Sequence, residues 1–121
     1  MSSTAVILFA HGARDPEWAR PIENIRDRLR SGGTRVELAF LEFMPPSLDE
    51  AAAALAAEGV GTVTIVPLFL AQGGHLKRDL PAMAAKIRER HVNTVFRVTP
   101  ALGEAPEIVA AIADWVQRAA R

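Results

Sequence analysis

Cysteine does not occur in this 121-residue chain, which excludes disulfides, thiolate metal sites and a cysteine nucleophile together. Net charge is lacking too. The 14 basic residues balance 14 acidic ones, so no overall positive field draws nucleic acid or an anionic membrane, and an anionic partner has to be met locally. No apolar run is long enough to span a bilayer, and the opening stretch MSSTAVILFAHG carries no basic segment of the signal-peptide kind. Internal repeats and low-complexity linkers are absent as well. The expectation is a cytoplasmic protein with no nucleic-acid or membrane partner.

What remains is the balance of an ordinary globular protein, 50% hydrophobic and 23% charged, in a chain the length of one domain, residues 1–121. Ala5 to Ala10 is a continuous apolar run closed by His11-Gly12, as expected of a strand covered on both faces. Asp15 is a good helix cap, and Trp18, Ile22, Ile25 and Leu29 recur at helical spacing up to Gly32-Gly33. Pro21 lies inside that pattern, so this helix is either kinked there or begins properly near Arg20.

Arg35 to Leu41 alternates, with Val36, Leu38 and Phe40 on one side and Glu37 interrupting the other, which predicts a strand nearer an edge. Ser47 with Glu50 three residues on is a capping-box signature for a helix running to Gly59. Thr62 to Leu70 predicts a buried third strand with Pro67 near its end, followed by a loop Gln72-Gly73-Gly74-His75. A third helix with Leu80, Met83, Ala84 and Ile87 inward, a strand over Thr94 to Val98 and a last helix striped by Ile108, Ile112, Trp115, Val116 and Ala119 complete the chain.

Strands alternating with helices in this way predict an α/β fold, a parallel sheet with helices on both faces. Ligands in such folds bind beyond the carboxyl ends of the strands, near the point where strand order reverses, which selects loops 11–16, 42–47 and 70–79. His11 follows the first strand, Glu42 the second, and His75 lies in the loop after the third. Two imidazoles and a carboxylate suit a first-row divalent ion, and three protein ligands leave coordination positions open for a substrate.

Taken singly, each residue has a blander reading. A histidine after a strand is usually a packing group, and a glutamate there is usually solvated; only their convergence on one rim argues for a site. Arg14, Lys77 and Arg78 flank that rim and could meet carboxylates of an anionic substrate, and Gln72, Gly73 and Gly74 could offer loop donors. Asp15 and Asp79 read as helix caps, Trp18 and Trp115 as core or interface. His91, at the end of the third helix where the dipole favours an imidazolium, receives no catalytic role.

The strings FAHGARDP, AFLEFMPPSL and VPLFLAQGGHLKRDLP, in this order and each leading into a helix, resemble the short CbiX type of class II chelatases, the sirohydrochlorin cobaltochelatase and ferrochelatase family. The resemblance covers nearly the whole chain. It implies a chelatase-like three-layer α/β/α fold on a four-stranded parallel sheet, and ATP-independent insertion of Co²⁺ or Fe²⁺, with Ni²⁺ also open, into sirohydrochlorin or a related tetrapyrrole on the way to cobalamin or siroheme.

On this resemblance His11, Glu42 and His75 handle the ion and the pyrrole protons, Arg14, Gly73, Gly74, Lys77 and Arg78 face the substrate, and no organic cofactor is needed. The family often has serine where this chain has Ala13. Longer relatives hold two such units in tandem, so a single unit implies a homodimer. The main rival is a metal-binding carrier using the same three residues without turnover. A phosphoryl-transfer enzyme with His11 as nucleophile is disfavoured by Ala10, where such enzymes commonly place arginine. A purely structural subunit ranks last.

Overall fold

Side-chain alternation along the first strand, Thr4–Ala10 (β1), sets the layering of the molecule. The computed structural model describes residues 3–121, so Met1 and Ser2 of the opening stretch lie outside the described residues. Ala5, Ile7 and Phe9 point into one core cluster, and Leu8 and Ala10, with Val6, into another on the opposite face. A strand buried on both faces needs the unbroken apolar run that the sequence shows here.

β1 pairs in parallel with β2 (Val36–Phe40) on one side and with β3 (Thr62–Pro67) on the other, and β4 (Val95–Val98) pairs with β3. The order β2-β1-β3-β4 places β2 at an edge, as its interrupted alternation predicted. The chain steps from β1 to β2, then crosses back to β3, so strand order reverses between β1 and β3. The ends of those two strands carry His11 and the loop leading to His75.

Helices α2 (Leu48–Ala57) and α3 (Gly74–Arg90) cover one face through Leu48, Leu55, Leu80 and Ile87. On the other face α1 (Arg20–Ser31) lays Ile22 and Leu29 against Val36, Leu38 and Phe40. Asp15 accepts a hydrogen bond from the Glu17 backbone N–H at 3.0 Å and caps a short 3-10 turn, Pro16–Ala19, which runs into α1 at Arg20. Pro21 therefore falls in the first turn, where its missing N–H leaves no bond unmade.

Three expectations are corrected. β3 stops at Pro67, not Leu70: the Leu68 N–H still donates to Phe9 O at 2.8 Å, and the chain then turns off the sheet. α3 starts at Gly74, with Gly73 as its extended cap residue, so His75 stands in the first helical turn rather than in a loop. That earlier start places Asp79 within the helix, and it caps nothing. Finally, α4 (Pro106–Ala119) has no buried residue; Trp115 is 64% exposed and Trp18 39%, so neither is a core side chain. Among the described residues no helix is long and apolar enough to cross a membrane.

Both halves of the predicted capping box on α2 are formed. The Glu50 N–H donates to Ser47 Oγ at 3.1 Å and the Ser47 N–H to Glu50 Oε1 at 2.9 Å. Ser47→Ala should cost about 1 kcal/mol, lowering Tm by about 4 °C in a thermal melt. The backbone bond from Ser47, followed by its side-chain bond, holds the Glu50 carboxyl below its ordinary value of 4.5. A depressed folded value stabilises the protein above the unfolded value and loses that contribution as pH falls through the folded one. Glu50→Gln should therefore lower Tm at pH 7, with the difference shrinking as pH falls through the carboxylate range.

Candidate active site

His11 leaves the end of β1 with its side chain about half exposed, and its Nδ1 lies 3.6 Å from Glu42 Oε1. This proximity is built by the backbone. Leu41 N–H donates to Ala10 O at 2.9 Å and Glu42 N–H to His11 O at 3.1 Å, extending the β1–β2 ladder past the strand ends. Between them Gly12 has φ +92°, and a Cβ there would stand 1.9 Å from the Glu42 carbonyl oxygen. Only glycine permits both that backbone conformation and that approach. The signal for Gly12 in the sequence is the HG pair itself at a strand end.

The His11 ring meets the edge of Phe69, centroids 6.3 Å apart at 83°, and Phe69 in turn packs edge-on against Phe9. Phe69 is held by Gly103, whose N–H donates to Phe69 O at 3.1 Å, and a Cβ on Gly103 would collide with the Leu70 carbonyl. Neither Phe69 nor Gly103 was singled out from the sequence. Gly103 lies some thirty residues beyond the loop it pins, so no local pattern reveals it.

His11 and His75 line one pocket of about 300 Å³, with Leu41, Phe69, Asp79 and Met83 also in its wall. Gly73 and Gly74 form part of the same wall, and a Cβ on either would meet nothing. Neither position therefore requires glycine for space or for its backbone conformation. His75 sits at the N-terminal end of a 17-residue helix, where unbonded N–H groups and the dipole favour negative charge.

The flanking cations are placed differently from one another. The Arg14 guanidinium lies 5.0 Å from the centroid of Phe43, a 57% exposed ring on a residue with φ 69°. Arg78 Nε turns back to Gly74 O at 3.4 Å, and Lys77 is exposed on the first turns of α3. With Leu41, Phe43 and Leu70 exposed around the strand ends, the rim is apolar as well as cationic. The structure thus brings His11 and Glu42 together, and sets His75 in the pocket that His11, but not Glu42, lines. Among the described residues, no three histidine, aspartate or glutamate groups lie close enough together to hold one ion.

A parallel sheet in the order β2-β1-β3-β4, with imidazoles and a carboxylate at its switch point, defines a doubly wound α/β domain with its candidate site where such folds bind ligands. The sirohydrochlorin chelatase SirB of Bacillus subtilis subspecies spizizenii, solved in complex with cobalt, superposes with a TM-score of 0.78 at 21% identity, over 96% of this chain and 50% of that one. That likeness is one of fold. The profile of the CbiX family matches residues 5–119, and the chain belongs to that family. A CbiX protein of Marinobacter aquaeolei VT8 superposes with a TM-score of 0.83 at 34% identity, over 95% of each chain.

A sirohydrochlorin cobaltochelatase of Sulfurisphaera tokodaii is 41% identical over 83 residues, 69% of each chain. In this and two further sirohydrochlorin cobaltochelatases, from Sulfolobus acidocaldarius and Methanopyrus kandleri, the matched segment spans 69%, 62% and 57% of the relative's own length.

Proposed function

We propose that this protein is a sirohydrochlorin metal chelatase, inserting cobalt or iron into the tetrapyrrole without ATP. The observation that carries the reading is the His11–Glu42 pair, 3.6 Å apart at the switch-point rim, with His11 lining the same pocket as His75. Membership of a family whose named relatives are cobaltochelatases supports it.

Insertion replaces two pyrrole N–H protons by one divalent ion, so the site must present the ion, give it up and accept protons. His11 and Glu42 supply nitrogen and oxygen donors for the incoming metal, which is substrate here. An ion in transit must not be trapped by a closed ligand set, and a pair of donors with His75 across the pocket leaves positions for pyrrole nitrogens. As the ion passes to the macrocycle, the freed imidazole or carboxylate can take a pyrrole proton.

The apolar rim of Leu41, Phe43 and Leu70 suits the faces of a flat ring, while Arg14, Lys77, Arg78 and the N-terminal end of α3 suit its acidic side chains. Lys77→Ala with Arg78→Ala should weaken tetrapyrrole binding about fivefold at low salt, with the defect shrinking as salt rises and the fold unchanged. A KM series at rising ionic strength checks this.

A pocket of about 300 Å³ is too small to enclose a macrocycle with its acidic side chains, and the chain matches half of the longer SirB structure. Both support a homodimer that completes the cleft. A cytoplasmic setting belongs to the same reading. Absorbance of sirohydrochlorin mixed with purified protein and Co²⁺, Fe²⁺ or Ni²⁺ in turn tests the whole. Turnover above the uncatalysed rate with at least one ion is expected; stoichiometric metal binding without turnover would favour the carrier.

A further inference from the structure

Two loops frame the candidate site, one after β1 with His11 and Gly12 and one after β2 with Glu42, and the bond from Glu42 N–H to His11 O at 3.1 Å locks them together. Beyond that lock the same loops meet again. Phe43, next to Glu42, is the only non-glycine residue at a positive φ among the described residues, at 69°, a region that bulky side chains rarely adopt. Its ring is 57% exposed, so filling the core is not what holds it there. Backbone of this kind collects where a function requires one particular side-chain placement.

What Phe43 meets is Arg14, three residues past His11, whose guanidinium carbon lies 5.0 Å from the ring centroid. At that distance the ring face attracts the cation and steadies a long side chain on the surface. The stack leaves N–H donors of the guanidinium for other partners, and none of the chain's nearby carboxylates takes them. Asp15 accepts from the Glu17 N–H at 3.0 Å, Glu17 pairs with Arg20 at 3.3 Å, and Glu42 faces His11. Arg78, by contrast, turns its Nε back to Gly74 O.

We propose that Phe43 is a positioning residue, which holds Arg14 as a preset clamp for one carboxylate of the incoming macrocycle. Each loop gives one residue to the metal pair and one to the clamp, so the carboxylate is gripped in register with His11 and Glu42. A guanidinium fork matches a carboxylate bidentately, as a point charge does not. This inference rests on the chelatase reading above and adds to it which cation is set in advance, and by what.

The test follows metal-free sirohydrochlorin by fluorescence anisotropy as protein is added, so its readout is Kd rather than turnover. Arg14→Ala should weaken binding about tenfold, the scale of a lost charge-assisted hydrogen bond, and Arg14→Lys nearly as much, because it keeps the charge but not the fork. Phe43→Leu should weaken binding about threefold, the scale of an exposed cation–π contact, and Phe43→Tyr should restore it. In the Arg14→Ala background, Phe43→Leu should cost little more, since the two residues act as one unit. Phe43→Gly, which relieves the positive φ, should weaken binding without lowering Tm. A wild-type protein with neither affinity for sirohydrochlorin nor turnover would overturn the chelatase reading and the clamp with it. With wild-type binding in place, any of four results overturns the clamp alone: Arg14→Lys as tight as wild type, Phe43→Leu as tight as wild type, fully additive losses in the double variant, or a Tm lowered by Phe43→Gly.

Discussion

His11→Ala should lower the rate of metal insertion by about 10²-fold or more, the scale of a lost proton acceptor, while leaving the protein folded. The side chain is 56% exposed and meets Phe69 only edge-on, so its removal opens no cavity in the core. His75→Ala should behave alike, since His75 is exposed on the first turn of α3 and lies outside the Leu80, Ala84 and Ile87 stripe that holds the helix to the sheet. Glu42→Gln keeps the size and one acceptor but removes the charge, and activity should fall without structural change. His91→Ala is the internal control: His91 caps the far end of α3 and packs near Phe96. Turnover and circular dichroism measured together decide the matter. Wild-type turnover in either His11→Ala or His75→Ala, with His91→Ala impaired, would refute the assignment.

Gly12→Ala should be nearly as damaging to activity and more damaging to the fold. Forcing an alanine to a positive φ costs about 1–2 kcal/mol, and the added methyl would stand 1.9 Å from the Glu42 carbonyl, so the segment carrying Glu42 must move. The hydrogen bond from Glu42 N–H to His11 O is the first contact to break, and the separation of His11 from Glu42 grows with it. The expected result is a Tm several degrees lower together with at least a tenfold loss of turnover. The matched substitution Gly32→Ala, outside the site and at a negative φ where a Cβ makes only an ordinary contact, should leave both nearly unchanged. If both variants lost turnover equally, backbone crowding at Gly12 would not be what places Glu42.

Periodicity and local chemistry carried the reading a long way. The apolar run at Ala5–Ala10, the alternation at Val36–Phe40 and the Ser47–Glu50 box each report an interaction between residues a few positions apart, and each formed as expected. The ends of β3 and the start of α3 were less legible. Leu68 and Phe69 are as apolar as the strand before them, and a glycine pair reads as a turn whether or not a helix begins inside it. Consequently His75 and Asp79, which the reading set in a loop and at a cap, lie on one helix beside the pocket.

The sequence by itself determined the α/β class, the order of its elements and the residue types gathered at one rim, because hydrophobic period, caps and strand-end position are written within each segment. Tertiary structure alone decided that His11 and Glu42 stand 3.6 Å apart, that Gly12 must be glycine to let them, and that Gly103 pins the loop beyond β3. It also decided that the stripe on α4 faces outward rather than into its own core. An amphipathic helix announces that one face will be buried. Which surface buries it depends on where the chain leaves the sheet, and here that path leaves α4 without a buried residue.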